Sequence, residues 1–290
     1  MIRHARLILN PVSWSHKAWD KLPVLISTLD GAGIRVEVSF TKLTETLTQS
    51  VAVAAQEGYD MVIAGGGDGT VGEVAAGLVG TDVPLGIIPL GTFNNIARSL
   101  KIPHDFEKAL QVIADGHIKE IDVGRVNNLR FFEAAGIGLD ASLFPIGEEI
   151  KGGHYEKLLT ASLEILRYHN TEITISLDRN GTHRVVAPLV AVANGPYYGS
   201  GFTIAPQASL DDGLLTVVAF EGFTKPELLR HFWAIALGRE AVSDRISVFE
   251  AREVAISSEV PLPCHADGKP IGRSPATFSI TPHNLRVIAP

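Results

Sequence analysis

The run Gly65-Gly66-Gly67-Asp68-Gly69-Thr70 has the composition of a phosphate-binding loop. Consecutive glycines let the backbone turn sharply, so that its N–H groups can face phosphate oxygens. A helix predicted over Val71–Leu78 would add the positive end of its dipole. The Asp68 carboxylate repels phosphate unless a cation lies between them, which indicates Mg²⁺ bridging to a nucleotide. A tight turn in which Asp68 caps the helix would explain the same residues without a ligand.

A second glycine turn, Pro89-Leu90-Gly91-Thr92-Phe93-Asn94, follows the next predicted strand. Thr92 could donate to a phosphate, and Asn94 could contact a phosphate or a substrate hydroxyl. For Asn94 alone, a plain capped turn is the favoured interpretation. Ligands bind at the carboxyl ends of parallel strands, so two such turns on consecutive strands predict a ligand site.

Two regions of different texture must position these turns. Residues 1–124 alternate short apolar runs with amphipathic stretches, which predicts a Rossmann-like α/β domain. Residues 125–290 are rich in strand patterns and predict a β-sandwich, with the last residues packing back on the first domain. The predicted helices include Trp14–Asp30, Leu43–Glu57, Tyr155–His169 and Lys225–Leu237. The predicted strands include the alternating run Ile34–Phe40 and the apolar run Leu85–Pro89, and single strands over Val185–Ala193 and Arg245–Ser257.

The composition narrows the classes of function. A net charge of −7 argues against broad nucleic-acid binding, which normally needs a basic face. The single cysteine, Cys264, excludes an internal disulfide and fits a reducing compartment. No apolar run approaches the roughly 18 residues of a membrane span. We therefore expect a cytoplasmic protein that would meet a lipid substrate peripherally, from the membrane surface. The sequence leaves the oligomeric state open, a homodimer included.

The segment Gly67-Asp68-Gly69-Thr70-Val71-Gly72 also satisfies the dinucleotide fingerprint G-x-G-x-x-G. That fingerprint usually follows the first strand of its domain and is followed by an acid at the end of the next strand. Here it follows the third predicted strand, and the next one ends Ile88-Pro89-Leu90-Gly91 without an acid. A dinucleotide oxidoreductase is therefore disfavoured.

Taken together, the motifs resemble the diacylglycerol kinase catalytic-domain family, which includes bacterial lipid kinases and sphingosine kinases. The resemblance implies ATP- and Mg²⁺-dependent phosphorylation of a hydroxyl on a lipid or lipid-like acceptor, by a two-domain protein with its active site between the domains. It rests on both glycine turns, with Ala97-Arg98 after the second, and continues in chain order through Leu7–Pro11, Ile121–Gly124, Asn194-Gly195, Ile204–Leu214 and Ala266–Gly268.

The same resemblance implies roles for individual residues. Asp68 and Asp122 would organise the catalytic Mg²⁺ and its waters. A structural Mg²⁺ would be held by the Asp212 carboxylate and main-chain oxygens at Ser209 and Leu214. The ATP site would be formed by Asn10, Thr41, Gly65, Gly66, Gly67, Asp68, Gly69, Thr70, Val71 and Thr92, with Asn94 beside them.

One position departs from the family pattern. The family usually reads Asp-Gly-Glu where this chain has Asp267-Gly268-Lys269, and in the bacterial lipid kinases that glutamate is the proposed base. An ammonium group accepts no proton unless its pKa is strongly lowered. Lys269 would instead bind an anionic head group or the γ-phosphate, or it is a solvated hairpin residue; Asp267 or Asp68 would then be the base.

Two alternatives share the predicted fold. A nucleotide-binding regulator that has lost catalysis is suggested by Lys269. NAD kinase has the same Gly-Gly-Asp-Gly-Thr loop, but its Asn-Glu motif is not evident, because Asn194 is followed by Gly195. We interpret Cys264 and His265 as packing residues, and the apolar side of the Lys225–Leu237 helix as core-facing rather than membrane-bound.

Overall fold

Buried apolar strands alternate with helices in the first part of the chain. The computed structural model describes residues 2–10, 20–41, 47–151, 154, 156–178, 181–199, 201–236 and 245–290. The first five strands are β1 (Arg3–Leu9), β2 (Ile34–Phe40), β3 (Met61–Gly66), β4 (Leu85–Pro89) and β5 (Ile118–Val126). The helices between them are α1 (Leu22–Gly31), α2 (Leu47–Ala54), α3 (Asp68–Leu78), α4 (Asn95–Ser99) and α5 (Phe106–Asp115).

The N-terminal strands form a parallel sheet. They run in the order β2-β1-β3-β4, and every one of these pairs is parallel. Each residue of β3 and β4 is buried, as expected of strands covered by helices on both faces. The core of this unit joins Leu25 and Leu29 of α1 with Leu110 and Ile113 of α5 and the inward residues of the strands. The carboxyl ends of β3 and β4 therefore lie side by side.

The second part of the chain is mainly antiparallel. Its strands are β6 (Leu129–Phe131), β7 (Ala134–Gly138), β8 (Thr171–Leu177), β9 (Gly181–Ala187), β10 (Leu189–Ala193), β11 (Tyr197–Tyr198), β12 (Phe202–Thr203), β13 (Leu215–Phe220), β14 (Ile246–Ala251), β15 (Glu253–Ser258), β16 (Pro263–Ala266), β17 (Lys269–Arg273) and β18 (Ala276–Ile288). Its helices are α6 (Leu139–Lys151), α7 (Lys157–Arg167) and α8 (Lys225–Ala236).

Two antiparallel sheets make up the sandwich. One has the order β14-β13-β10-β7-β16-β17, and the strands of the other lie in the order β18-β15-β8-β9. Their inner faces share one apolar core, to which the first sheet contributes Ile137 and Val217 and the second contributes Ile175, Val254 and Phe278. The predicted fold class, an α/β nucleotide-binding domain plus a β-sandwich, is confirmed.

The chain separates into two units along its length. The first comprises Met1–Val123 and Pro282–Pro290, and the second comprises Gly124–Thr281. The terminal segment is tied to the first unit by hydrogen bonds from the Ala289 N–H to the His117 carbonyl (3.0 Å) and from the Gly80 N–H to the Asn284 carbonyl (2.9 Å).

Two strands that were predicted as continuous are each divided between the two sheets. The run Val185–Ala193 is β9 and β10, separated by Pro188, which has no N–H to donate to a ladder. The run Arg245–Ser257 is β14 and β15, which change sheets at Arg252. Both single-strand predictions are wrong because a run of strand-forming residues does not reveal where the chain passes from one sheet to the other.

Helix boundaries also differ from the prediction. α3 begins at Asp68 rather than Val71, since the Val71 N–H already donates to the Gly67 carbonyl at 3.0 Å. The helices predicted over Trp14–Asp30 and Leu43–Glu57 are present as α1 and α2. Residues 14–19 and 43–46 of these two predicted helices lie outside the described residues, as do Tyr155 of the helix predicted over Tyr155–His169 and Leu237 of the helix predicted over Lys225–Leu237.

Candidate functional site

Two glycine turns meet at the carboxyl ends of β3 and β4. A Cβ on Gly91 would lie 2.5 Å from the Cα of Gly67, so the two backbones touch where neither has a side chain. The Leu90 N–H donates to the Gly66 carbonyl at 2.9 Å, which continues the β3–β4 pairing into the turns. The structure thus brings together the two motifs that the sequence placed on consecutive strands.

The N-terminus of α3 rises directly from the first turn. Its N-cap is Gly67, which has no side chain to satisfy the first N–H groups of the helix. Those groups have no partner inside a helix and carry the positive end of its dipole. A short glycine turn followed by such a helix end is well suited to bind an anion.

Gly69 leaves open space at this helix end. It is exposed, and a Cβ built on it meets nothing within 4 Å. Glycine in a helix costs about 0.5–1 kcal/mol relative to alanine. By contrast, a Cβ on Gly66 would lie 2.7 Å from Thr70 Cβ. Internal packing therefore accounts for Gly66 but does not account for Gly69.

Asn10 and Thr41 lie next to the loop through β1. The Asn10 N–H donates to the Gly65 carbonyl (3.1 Å), and its side-chain Nδ2 donates to Thr70 Oγ1 (3.0 Å). The Thr41 N–H donates to the Leu9 carbonyl (2.9 Å), which places Thr41 at the end of β2 beside β1. Three predicted ATP-site residues, Asn10, Thr41 and Thr70, are thus at one edge of the sheet, near the buried Val71.

Asp68 lies in the first turn of α3. Its Oδ1 accepts a hydrogen bond from the Ile96 N–H at 3.2 Å, and so it caps α4 from a neighbouring helix. Neither of the weighed interpretations foresaw this contact, since one gave Asp68 to a cation and the other to the end of its own helix. The side chain is half-buried.

Asn94 is engaged by its own turn. It adopts a left-handed conformation (φ 51°), its Oδ1 accepts the Gly91 N–H and its Nδ2 donates to the Gly91 carbonyl, both at 2.8 Å. Nδ2 also lies 3.4 Å from His104 Nδ1. The turn accounts for the amide of Asn94, whereas Thr92 in the same turn is exposed.

Asp122 is completely buried in β5. Its Oδ1 accepts a hydrogen bond from the His283 N–H at 2.9 Å, at a point where His283 takes a left-handed conformation (φ 49°). The carboxylate thus holds the terminal segment at His283 in place within the first unit. The sequence did not suggest this anchoring role for Asp122.

Asp267 organises a turn in the second unit. Its Oδ2 accepts the Phe132 N–H (2.8 Å), and its Oδ1 accepts the N–H groups of Glu133 (3.0 Å) and Ala134 (3.2 Å). Burial raises the pKa of the Asp267 carboxyl to about 6, against these three hydrogen bonds and His265, which lower it. Lys269 follows at the start of β17 and is exposed.

A buried polar cluster, which the sequence did not reveal, lies beside this turn. His265 Nε2 is 2.8 Å from Asp140 Oδ2, and the Tyr198 hydroxyl donates to Asp140 Oδ1. The Gly268 N–H lies 3.3 Å from His265 Nδ1, so the ring contacts Asp140 on one side and the Gly268 turn on the other. Burial and the Asp140 carboxylate raise the pKa of Tyr198 well above its ordinary value.

The interpretation of His265 as a packing residue is therefore incomplete. Its ring does pack against Phe144, with centroids 5.4 Å apart, but it also links Asp140 to the Gly268 turn. The available signal was the acid of Gly136-x-Gly138-x-Asp140 directly after a buried strand, paired with the histidine of His265-x-Asp267-Gly268.

The turn proposed to hold a structural metal contains only oxygen ligands. Ser209 Oγ donates to Asp211 Oδ1, and the Leu214 N–H donates to Asp212 Oδ1 at 2.9 Å. The Asp212 side chain is exposed. Within the described ranges, no three side chains of His, Cys, Asp or Glu gather closely enough to hold a metal ion.

Among the helices of the described residues, none is long and apolar enough to span a membrane.

Comparisons with known proteins agree with this architecture. The family model of the diacylglycerol kinase catalytic domain matches residues 4–126. The model of the YegS C-terminal NAD kinase beta sandwich-like domain matches residues 137–289. A diacylglycerol kinase of Staphylococcus aureus (strain bovine RF122 / ET3-1) is 30% identical over 299 residues, covering 100% of this chain and 93% of the relative.

Solved structures share the fold. A diacylglycerol kinase from Bacillus anthracis str. Sterne superposes with a TM-score of 0.79 at 23% identity, covering 99% of this chain and 97% of the other. An NAD kinase from Archaeoglobus fulgidus in complex with ATP has a TM-score of 0.55 at 12% identity, over 98% and 93% of the two chains. The predictions of the family and of a kinase enzyme are confirmed, and the chain belongs to the diacylglycerol kinase family, a family of lipid kinases.

Proposed function

We propose that this kinase transfers the γ-phosphoryl group of ATP to a hydroxyl of diacylglycerol or a similar lipid at a membrane surface. The observation that carries the nucleotide half is the α3 N-terminus, which has a glycine N-cap and open space at Gly69. Relatives named diacylglycerol kinase support the acceptor half.

The ATP site is proposed at the edge formed by β1, β3 and β4. The backbone of Gly65–Val71 would bind the phosphates, because the first N–H groups of α3 point to that side. Asn10, Thr41 and Thr92 would contact the nucleotide from around the loop. Asn94 would contribute by shaping the second turn rather than by direct contact, since Gly91 engages both atoms of its amide.

Mg²⁺ fits the residues of this edge. Asp68 places a carboxylate at the positive helix end where phosphate would bind, an arrangement that a bridging cation relieves. Bound there, Mg²⁺ would neutralise charge that develops on the transferred phosphoryl group. Asp122 is fully buried in β5 and its carboxylate accepts the His283 N–H. We therefore propose that it orients the site indirectly, by holding the backbone at His283. In the second unit, Asp212 with main-chain oxygens at Ser209 and Leu214 would hold a structural Mg²⁺.

The base that removes the acceptor proton is proposed to be Asp68. Asp267, the other candidate, uses both carboxylate oxygens to hold the Phe132–Ala134 backbone. Lys269 is exposed and would bind an anionic acceptor head group or the γ-phosphate. This assignment departs from the family pattern, in which a glutamate follows Asp-Gly.

The test is a phosphorylation assay with purified protein, ATP and Mg²⁺ on a panel of diacylglycerol, sphingosine and monoacylglycerol in mixed micelles, with NAD as a separate acceptor. Formation of phosphatidate from diacylglycerol is the expected result. Phosphorylation of sphingosine or monoacylglycerol instead would support the proposed phosphoryl transfer but assign it to a different lipid acceptor. Product from NAD alone would favour NAD kinase. Intact ATP binding without any phosphorylated product would contradict the proposed reaction and favour the regulator.

A further inference from the structure

Helix α7 carries leucines on its exposed side. Leu159, Leu163 and Leu166 are 67%, 41% and 43% exposed, and their spacing places them on one face of the helix. We refer to these three side chains as the leucine face. Among the helical side chains whose exposure the structure describes, no helix other than α7 has three large apolar ones that are exposed.

The leucine face is not needed for packing α7 onto its own unit. That purpose is served by an adjoining side, where Ala161, Ser162 and Ile165 are buried and Ile165 joins a core cluster with Leu139 and Leu189. A surface helix normally has one apolar stripe facing the core and polar residues outside. The apolar surface of α7 therefore extends beyond its buried side, and the exposure of the leucine face to water is unfavourable.

Basic residues lie at the end of the leucine face. Arg167 follows Leu166 and is exposed, and Lys225 Nζ donates to the Leu166 carbonyl at 2.6 Å. Cations are also expected at a helix C-terminus on account of its dipole. Arg230, however, lies in the middle of the neighbouring helix α8, on its exposed side together with Trp233. The basic residues are thus not explained by the end of α7 alone.

The local charge is opposite to that of the whole protein. α7 and α8 pack against each other, and together they contain the exposed basic residues Arg167, Lys225 and Arg230 and the acids Glu164 and Glu227. Lys157, at the start of α7, is paired with Glu149 of α6 at 2.5 Å and is not counted with them. The chain as a whole has a net charge of −7. An apolar face with Arg167 and Lys225 at its end, on a helix that packs against one carrying an exposed Arg and an exposed Trp, matches the surface of an anionic bilayer.

We infer that the leucine face docks on the surface of an anionic lipid bilayer, with the leucines entering the acyl boundary and the basic residues meeting the lipid phosphates. This role rests on the proposed function, which requires the enzyme to reach a lipid acceptor. Three leucines on a short helix give weak, reversible binding, and the charges add to it. Such binding suits an enzyme that must also leave the membrane.

The first experiment measures sedimentation with sucrose-loaded vesicles of phosphatidylcholine and phosphatidylglycerol. The variant Leu159→Gln/Leu163→Gln/Leu166→Gln should lose at least about tenfold in partition coefficient, since three partly exposed leucines no longer enter the interface. The matched control is Val53→Gln/Leu129→Gln/Val260→Gln, which changes comparably exposed apolar residues that are scattered over the chain. Equal binding of the two triple variants would overturn the inference.

The charge component is tested by lipid composition. Wild-type protein should bind vesicles containing phosphatidylglycerol more tightly than vesicles of phosphatidylcholine alone, and added salt should reduce the difference. Arg167→Glu/Arg230→Glu should weaken binding to the anionic vesicles by at least about fivefold for each cation removed. Binding that is indifferent to phosphatidylglycerol and to this variant would contradict the assignment to an anionic surface.

A second measurement avoids reliance on destabilising variants. Leu163→Cys can carry a polarity-sensitive fluorophore, because the native Cys264 is buried and its pKa is raised to about 11. Its emission should shift to the blue when the anionic vesicles are added, and brominated lipids should quench it. The same label on Val53→Cys is the control and should not respond. No shift at position 163 would show that the leucine face stays in water.

Failure of this inference and failure of the proposed function give different results. The leucine-face variant should phosphorylate a short-chain diacylglycerol in solution at the wild-type rate and lose activity only on vesicles. If no acceptor is phosphorylated but the vesicle results hold, the proposed reaction fails and the docking surface stands. If the variant instead converts a dimer to a monomer and binds vesicles normally, the leucine face joins two copies of the chain and the inference is wrong.

Discussion

The Asp68 carboxylate accepts a hydrogen bond from the Ile96 main-chain N–H at 3.2 Å and thereby caps a helix other than its own. The N-cap position of α4 is Asn94, whose side chain does not cap it and is engaged with Gly91. Asp68 consequently serves the fold of the second glycine turn as well as its proposed part in phosphoryl transfer. Variants at this position must separate the two contributions.

Replacement of Asp68 by Asn keeps an oxygen acceptor for the Ile96 N–H and removes the charge. We expect unfolding free energies within about 0.5 kcal/mol of wild type, and at least about a 100-fold loss of turnover because the charge that would hold Mg²⁺ is gone. Asp68→Ala should lose similar activity and, in addition, about 1 kcal/mol of stability, the usual value of a helix cap. Urea unfolding and initial rates check both. An Asn variant with wild-type turnover would remove the catalytic role of Asp68.

The contact between the two glycine turns predicts opposite effects for two similar substitutions. Gly91→Ala would place a Cβ 2.5 Å from the Gly67 backbone, and we expect a loss of about 1–3 kcal/mol in unfolding free energy. Gly69→Ala is the matched control, because its Cβ meets nothing within 4 Å; alanine should leave stability unchanged or raise it by up to about 1 kcal/mol. Comparable destabilisation by both would contradict the close approach of the turns.

The same control variant tests the nucleotide site. If the space at Gly69 is where the phosphates bind, Gly69→Ala should weaken ATP binding by at least about tenfold, equivalent to about 1.4 kcal/mol, while the fold is at least as stable as wild type. Isothermal titration with a non-hydrolysable ATP analogue measures this effect. Unchanged affinity would mean that the glycine at 69 is not kept for the nucleotide.

The sequence allowed most of the N-terminal fold to be predicted, and less of the second unit. Ile34–Phe40 and Leu85–Pro89 are strands with the predicted bounds, because an alternating run and a short apolar run between helices each have few alternatives in a parallel sheet. The breaks at Pro188 and Arg252 were missed, since the strand-forming residues on either side of each break do not indicate a change of sheet. The hydrogen bond from the Ile96 N–H to Asp68 was missed as well, because no sequence pattern links these two residues.

The buried cluster around Asp140 likewise could not be predicted from the sequence, and its hydrogen bonds yield a prediction. Tyr198→Phe removes the hydroxyl that donates to Asp140 and leaves a buried carboxylate with one hydrogen bond fewer. We expect a loss of about 1–3 kcal/mol in unfolding free energy. Tyr197→Phe is the control, since the neighbouring ring is only half-buried. Equal stability of Tyr198→Phe and wild type would show that the hydroxyl does not support Asp140.

Substitutions at Lys269 distinguish a kinase that uses a different base from a protein that has lost its catalytic base. Lys269→Glu restores the residue that the family usually has after Asp-Gly. If Asp68 already acts as the base and Lys269 binds an anion, this variant should lose at least about tenfold in kcat/KM through repulsion of the phosphates. A large gain in lipid phosphorylation would instead identify wild-type protein as a kinase that lacks its base. Lys269→Gln separates the loss of the ammonium from the effect of a new carboxylate.

The raised pKa of Asp267 makes a prediction about stability and pH. Its carboxyl holds a proton up to about pH 6 in the folded protein, but releases it near the ordinary value of 3.8 when unfolded. Between these values the folded state binds more protons, so its stability falls as the pH rises. The contribution is fully present below about pH 4 and lost above about pH 6, a difference on the order of 2–3 kcal/mol.

Asp267→Asn should remove this part of the pH dependence, although it also lowers stability at every pH, because an amide cannot accept all three main-chain N–H groups. Urea unfolding at a series of pH values measures the slope, and the surface variant Asp30→Asn is the control. The difference in unfolding free energy between wild type and Asp267→Asn should shrink as the pH rises through about 4 to 6. A difference that grows instead would mean that the three hydrogen bonds outweigh burial and that the folded protein holds Asp267 as a carboxylate throughout.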